Sequence, residues 1–371
     1  MSKTLQDYAT LINDTIQSNE INHYITTANM CQNLGGIDTF KNINIPQGKV
    51  RSFQKDDVLL SNIDPWHRQV YMAKQKGGCS SDVLVFRAKH IDSATLFAIL
   101  SSQSFINYVC LGSIGSKRKR GDKVHMMNFK IPTINFTIAK IFNSIQNKIE
   151  NNHKINELLH KILELLYEQY FVRFDFLDEN NKPYQTSGGK MKFSKELNRL
   201  IPNDFEVKTL GELTQLKVGN KNANHSSNQG KYPFFTCSNN PLKCETYQFE
   251  GKHIIISGNG NFYVTHYDGK FDAYQRTYVV NPNNPNHYVL IYLFVKSYTN
   301  YLKLQSRGSI IKFITKSDIE NIKIVLPNLK TYTKWNNVLK MIENNNQATQ
   351  TLTALRDFLL PLLLKQQVKP K

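Results

Sequence analysis

The chain has 371 residues, 40% apolar and 20% charged, enough for about two domains with real cores. Lys and Arg outnumber Asp and Glu by 47 to 29, and a net charge of +18 points to a polyanionic partner, nucleic acid before a membrane surface. No apolar run approaches the ~18 residues that span a bilayer, the opening MSKTLQDYAT carries no apolar signal core, and the five cysteines lack CxxC spacing. A cytoplasmic protein with reduced thiols is expected.

Residues 1–137 read as a first globular domain of short strands and turns. Phe53–Ser61 is a turn followed by a buried strand, and Val83–Phe86 is another strand. A long helix occupies 138–180. Its apolar stripe runs from about Ile138 to Val172, roughly 50 Å at ~1.5 Å per residue. It carries Ile141, Ile145, Ile149, Leu159, Ile162 and Leu166, with a polar gap at Asn152 and Asn156. Residues 181–204, with Pro183 and Gly188-Gly189, read as a connector outside the core. Residues 205–330 form a second domain like the first. Within it Val289–Val295 is too short a run to assign to helix or strand. Residues 331–371 hold a second long helix, from about Tyr332 to Leu364. Its stripe is Val338, Ile342, Leu352, Leu355, Leu359 and Leu362, and its polar gap is Asn345 and Thr349. Pro361 should kink or end it.

The two halves match in order. Lys3-Thr4-Leu5 recurs as Lys208-Thr209-Leu210, Phe53–Ser61 as Phe249–Ser257, Val83–Phe86 as Thr277–Val280, and Phe129-Lys130-Ile131 as Ile322-Lys323-Ile324. Ile149-Glu150-Asn151-Asn152 recurs without change as Ile342-Glu343-Asn344-Asn345. Five ordered matches at offsets of 193 to 205 residues indicate a duplication. Two helices with the same stripe and a polar step at one level predict a coiled-coil pair whose buried Asn sets register. The charge is uneven: 21 basic against 17 acidic residues over 1–180, and 26 against 12 over 181–371, so the second half should make more phosphate contacts.

Catalytic motifs are missing. There is no phosphate-binding GxxxxGK[ST] and no HExxH. Gly112-Ser113-Ile114-Gly115 lacks GxSxG spacing. Asn239-Asn240-Pro241-Leu242 and Asp64-Pro65-Trp66 fall short of the Asp/Asn-Pro-Pro-aromatic step of amino-methyltransferases. Glu250-Gly251-Lys252 and Asp268-Gly269-Lys270 fit the short part of a Mg²⁺-dependent nuclease motif, in which carboxylates hold the ion and Lys polarises water. Glycine at the middle of each, between strand-like runs, reads instead as a hairpin turn. No His or Cys near Cys237 and Cys244 completes a ligand set, and no metal site is expected.

What remains is a surface for DNA. Lys117-Arg118-Lys119-Arg120 lies between Gly115 and Gly121, a glycine-flanked run of cations suited to phosphates. Its counterpart is Gln305–Lys312, with Arg307 and Lys312, followed by Lys316. Base edges need Arg, Asn or Gln side chains. Asn259, Asn261, Tyr263 and His266 lie on a glycine-loosened stretch, followed by Tyr274, Gln275 and Arg276. Asn62, Trp66, His67 and Arg68 hold the corresponding place in the first half. Core packing for Trp66 and a hairpin role for His266 compete with base contact.

These stretches resemble the specificity subunits of type I restriction–modification systems. The similarity is carried by Glu168–Val207, Gly230–Phe235, Ile254–Gly258, Arg307–Ile310 and Thr315–Ile324, with Gly115–Asp122 resembling a loop of some members. The resemblance implies an α+β chain, with two globular target recognition domains of mixed strands and short helices. Two long antiparallel coiled-coil helices separate them. Each domain reads half of a bipartite double-stranded DNA target. The helices set the spacer and dock two methyltransferase (modification) subunits through the striped residues, and restriction subunits complete the complex. S-adenosylmethionine, ATP and Mg²⁺ then belong to the partners, and this chain holds no cofactor and no catalytic residue. Two other readings stand beside this one: a Mg²⁺-dependent nuclease using Asp268 and Lys270, and a basic coiled-coil scaffold without sequence preference.

Overall fold

β-branched and aromatic runs become the central strands of both halves. The computed structural model describes residues 3–363 apart from 40, 132–133, 179, 309–310 and 328–332. In the first unit Val58–Ser61 lies between Val83–Ala88 and Val70–Met72, and Ala9–Ile12 extends that antiparallel sheet. A second sheet orders Thr15–Gln17, Lys49–Phe53, Gly77–Cys79 and Tyr24–Ile25. The helix Ser93–Ser101 buries Leu96, Phe97, Ile99 and Leu100 against the first sheet. In the second unit a six-stranded sheet orders Thr214–Val218, Thr277–Pro282, Phe249–Ser257, Val264–Ala273, Tyr232–Phe235 and Leu242–Cys244. The ambiguous run 289–295 is a helix, Tyr288–Ser297, apolar on every side because it is buried throughout 288–295.

The duplication extends to individual bonds. The amide of Leu5 donates to Phe129 O at 2.9 Å, and that of Leu210 donates to Ile322 O at 2.8 Å. The amide of Thr4 donates to the Asp7 carboxylate, and that of Thr209 to the Glu212 carboxylate, both at 2.6 Å. These carboxylates cap one short helix in each copy.

The first long helix is Phe136–Tyr167, closed by a π-helical turn over Glu168–Val172. The second is Thr333–Leu359, followed by a 3-10 turn over Leu360–Leu362. Tyr332 and Leu364, its expected ends, lie outside the described residues. Pro361 does end the α-helix, and the turn it begins buries Leu360 and Leu363 in the first unit's core.

The helices are not modules of their own. The chain divides into Met1–Ile155 with Asn344–Lys371, and Asn156–Glu343, so each unit takes part of both helices. Within the first unit Asn152 Nδ2 donates to Thr349 Oγ1 at 3.1 Å, and Arg356 Nη1 to Gln146 Oε1 at 3.1 Å. Within the second, Asn156 Nδ2 donates to Ile342 O at 3.3 Å. Partners run in opposite chain order, so the helices are antiparallel. The expected polar step is buried and hydrogen-bonded, as a polar group taken from water must be.

The stripe differs from expectation in places. Ile145, Ile149 and Ile342 are buried, and Leu159, Leu166, Val338, Leu352 and Leu359 are half-buried. Ile162 is 46% and Leu355 44% exposed, while the adjacent Leu163 and Arg356 are at 0% and 2%. Neighbouring residues on a helix point about 100° apart, so only one of each pair faces inward. Ile141 also faces outward. The connector differs too. Met191–Ser194 and Arg199–Pro202 pair as a hairpin, and Ile201 and Phe205 join the second unit's core.

Candidate nucleic-acid interface

In the first unit the basic loop is closed by two backbone bonds, 2.9 and 2.8 Å, exchanged between Ile114 and Arg120. Arg120 also bridges Ile63, and Asp64 N donates to Lys119 O at 2.8 Å. The second unit repeats this frame. Arg307 and Phe313 exchange bonds of 2.9 and 2.8 Å, Phe313 bridges Asn259, and Gly260 N donates to Lys312 O at 2.9 Å. Ser309 and Ile310 of that loop lie outside the described residues.

Glycine is required at one equivalent position in both. Gly115 has φ +119° and Gly308 φ +101°, and a Cβ there would lie 2.6 Å from Arg118 O and 2.3 Å from Ile311 O. An L side chain fits neither the dihedral nor the space.

The frame presents cations to solvent. Lys117, Arg118, Lys119 and Arg120 are all exposed. Arg120 pairs with Asp82 at 3.0 Å, whereas Lys117 and Arg118 have no carboxylate partner within 4.0 Å among the described residues. Lys119 N donates to Asp64 Oδ1 at 3.1 Å, tying the loop to the Pro65–His67 turn that holds Trp66. Trp66 is exposed, 5.7 Å from the His67 ring, and is not core.

In the second unit Lys312 and Arg307 are exposed, with Arg307 3.3 Å from Asp318. Lys316 pairs with Glu320 at 3.4 Å on the adjoining helix Lys316–Glu320. Asn261, exposed, donates to Tyr263 Oη at 3.1 Å, and Ser257 N donates to Tyr263 O at 2.9 Å. Gly258 N donates to Arg276 O at 2.7 Å, drawing the Tyr274–Arg276 turn to the same sheet end. Asn259 Oδ1 is buried there without a hydrogen-bond partner among the described residues. Seven of the second half's expected residues are thereby joined: Asn259, Asn261, Tyr263, Tyr274, Arg276, Arg307 and Lys312.

Comparison with known proteins places this arrangement. Residues 202–355 match the type I restriction modification DNA specificity domain. The EcoDI type I restriction enzyme specificity subunit of Escherichia coli is 32% identical over 181 residues, 45% of this chain and 39% of that protein. The MjaIX type I restriction enzyme specificity subunit of Methanocaldococcus jannaschii is 25% identical over 255 residues, 61% of this chain and 57% of that protein. The type I restriction–modification S subunit from M. genitalium shares the fold, with TM-score 0.63 at 16% identity over 99% of this chain and 96% of that one. Residues 202–355 thus carry a type I restriction–modification DNA specificity domain, and the chain is similar to the specificity subunits of such systems. The matched stretches span less than two thirds of either sequence relative.

Two expected contact residues are engaged elsewhere. Arg68 is turned inward: Nη2 donates to Ser101 O at 3.1 Å, and Asp357 lies 4.0 Å away. Burial lowers its pKa from the usual arginine value. His266 packs edge-on against Tyr292 at 4.9 Å and Tyr288 at 6.5 Å. Burial, with further lowering from His160, Lys252 and Lys296, takes its pKa down to about 3. The ring is uncharged at neutral pH, so its 3.6 Å approach to Glu343 is not an ion pair. The direction of each side chain is set by partners distant in the chain, a distinction invisible in sequence.

The Asp/Glu-Gly-Lys triplets are not hairpin turns. They lie within Phe249–Ser257 and Val264–Ala273, where Gly251 pairs with Gly269 and Glu250 with Lys270. Lys270 is 3.8 Å from Glu250 and 4.5 Å over the Tyr247 ring. Asp268 joins no group of three metal-ligating side chains among the described residues.

One feature escaped the sequence. Leu111 and Leu304, which occupy equivalent places before the two loops, are each 85% exposed. The repeat offset of 193 residues was the available signal.

Proposed function

We propose that this chain is the DNA-recognition subunit of a type I restriction–modification complex. Each unit reads one half of a bipartite double-stranded target. Lys117, Arg118, Lys119, Lys312 and Arg307 supply phosphate contacts that set affinity and register, and the neighbouring Trp66, Asn261, Tyr263 and Arg276 reach base edges. The observation that carries this reading is the recurrence of one hydrogen-bonded frame, with its exposed basic loop, in both units. Two modest readers joined through the same helices gain specificity by effective concentration, and helix length governs the gap between half-sites.

The helix pair is also the platform for two modification subunits. Ile155, Leu158, Ile162 and Leu165 recur at three- and four-residue spacing on the first long helix and are all exposed. An uncovered apolar row of this kind marks a protein contact. Restriction subunits join the assembly, and methyl transfer with S-adenosylmethionine and ATP-driven, Mg²⁺-dependent cleavage belong to those partners.

Co-expression with the modification subunit, followed by mapping of methylated bases across the host genome, tests the proposal. The expected result is a two-part motif with a constant gap, lost when this chain is omitted. Absence of both motif and complex refutes it, and equal competition by random DNA would favour a non-specific scaffold.

A further inference from the structure

The second unit gathers three potential metal ligands that are distant in sequence. His225 ends the turn Ala223–His225, Cys244 ends the edge strand Leu242–Cys244, and Asp272 lies in Val264–Ala273. The strand Tyr232–Phe235 sits between the last two and pairs with both. The ligating atoms of His225, Cys244 and Asp272 all lie within 4.8 Å of one another. The cysteine beside which no ligand set was expected from sequence thus acquires one through folding, while Cys237 is engaged with Arg276 O at 3.5 Å.

The surroundings point to a cation. Asp272 is completely buried. Its Oδ2 accepts from Thr246 Oγ1 at 2.6 Å and lies 3.1 Å from His225 Nε2. Its Oδ1 is buried with no hydrogen-bond partner among the described residues. A carboxylate taken out of water with one oxygen unanswered carries a heavy desolvation cost, which a metal ion removes. We propose that His225 Nε2, Cys244 Sγ and the Asp272 carboxylate bind one borderline-soft divalent cation of the Zn²⁺ class. Thiolate, imidazole and carboxylate suit such an ion. Tetrahedral ligands at ~2.0–2.3 Å stand about 3.5 Å apart, so the cluster closes with shifts of about an ångström. His225, with a side chain 23% exposed, leaves a path to solvent and a fourth position for water.

Binding breaks the Cys244 S–H bond and forms a metal–sulfur bond, with the proton passing to solvent. The ion fastens the last strand of the six-stranded sheet and the preceding turn to Val264–Ala273. An edge otherwise held by a short strand is stabilised by this clamp.

The test uses the full chain, in its complex where that is needed for solubility, stripped with chelator and titrated with Co²⁺. The expected result is a thiolate-to-cobalt charge-transfer band saturating near ~1 equivalent. Zn²⁺ should displace the band, and Zn²⁺ should raise the thermal midpoint. Cys244→Ser should abolish the band, and His225→Gln, at the partly exposed ligand, should weaken binding at least ~10-fold, the usual order for loss of a metal-site group. Cys237→Ser should leave the band intact. A band absent from the wild-type chain, or retained in Cys244→Ser, overturns the proposal and leaves the cluster a hydrogen-bonded network. Should Cys244→Ser fail to fold, an unchanged affinity in His225→Gln overturns it equally.

Discussion

The double substitution Lys117→Ala/Arg118→Ala isolates the electrostatic part of recognition. Both side chains are exposed and lack a carboxylate partner among the described residues, so their removal breaks no structural bond. The frame itself is made by the backbones of Ile114, Asp64, Lys119 and Arg120 and survives. Each phosphate contact contributes about 0.9 to the slope of log affinity against log salt. Two lost contacts should lower that slope by ~1.8 and, near 0.1 M salt, weaken binding roughly 50-fold. The loss should be the same on target and scrambled duplexes, because phosphates carry no sequence. Arg120→Ala should change the slope less, since Asp82 already neutralises that side chain at 3.0 Å. Fluorescence anisotropy of the chain, in the proposed complex where that is needed for solubility, on both duplexes across a salt series provides the measurement. An unchanged slope, or a loss confined to the target sequence, would show that the cluster reads bases and refute the assignment.

Gly115→Ala and Gly308→Ala alter no charge, yet each forces a Cβ against a carbonyl at positive φ, so each should weaken DNA binding and cost about 1 kcal/mol or more in denaturant unfolding. Leu163→Ala should cost ~2–5 kcal/mol in denaturant unfolding, and Ile162→Ala less than ~1 kcal/mol, because only the first is in the core. Conversely, Leu158→Glu with Ile162→Glu should abolish co-purification of the modification subunit without changing the unfolding midpoint. Burial takes the His266 pKa from 6.5 down to about 3. The unfolded chain then binds the extra proton first, and stability present above pH ~6.5 drains away as pH falls toward ~3. His266 should contribute ~2 kcal/mol of destabilisation between pH ~7 and ~5, and His266→Gln should unfold with that much less acid sensitivity in parallel denaturant titrations.

The duplication was legible because its signals are local and ordered. Matching triplets recur at a nearly constant offset, and the structure gives them matching bonds, as at Leu5 and Leu210. The C-terminal end of the second α-helix was legible from Pro361, whose ring cannot continue an α-helix. The polar step was legible because Asn152 and Thr349 interrupt two apolar stripes, and they meet at 3.1 Å. Choosing between Ile162 and Leu163 was not possible from periodicity, since the doublets 158–159, 162–163 and 165–166 draw two adjacent stripes, one facing in and one facing out. Arg68 and His266 carry the chemistry of base readers, but their direction depends on tertiary partners, Ser101 and Asp357 for one and Tyr292 for the other. The gathering of His225, Cys244 and Asp272 depends on the pairing of three strands, including a parallel step between Phe234 and Asp272 that no local pattern announces.

The repeat keeps its geometry and exchanges its contents. Where the first frame uses Ile114, Arg120, Ile63 and Asp64, the second uses Arg307, Phe313, Asn259 and Gly260, yet three corresponding backbone bonds agree within about 0.1 Å. Those bonds are made by peptide groups common to every residue, so the side chains on the frame are free to differ. Gly115 and Gly308 are bound to stay, because the turn admits no Cβ. On the proposed reading, this is how one fold duplicated in a single chain presents two different half-site readers. Affinity resides in loops whose position the backbone dictates, and sequence preference resides in the residues that the backbone leaves unconstrained. It follows that exchanging Asn259, Asn261 and Arg276 should redirect the second half-site and leave the first unaltered.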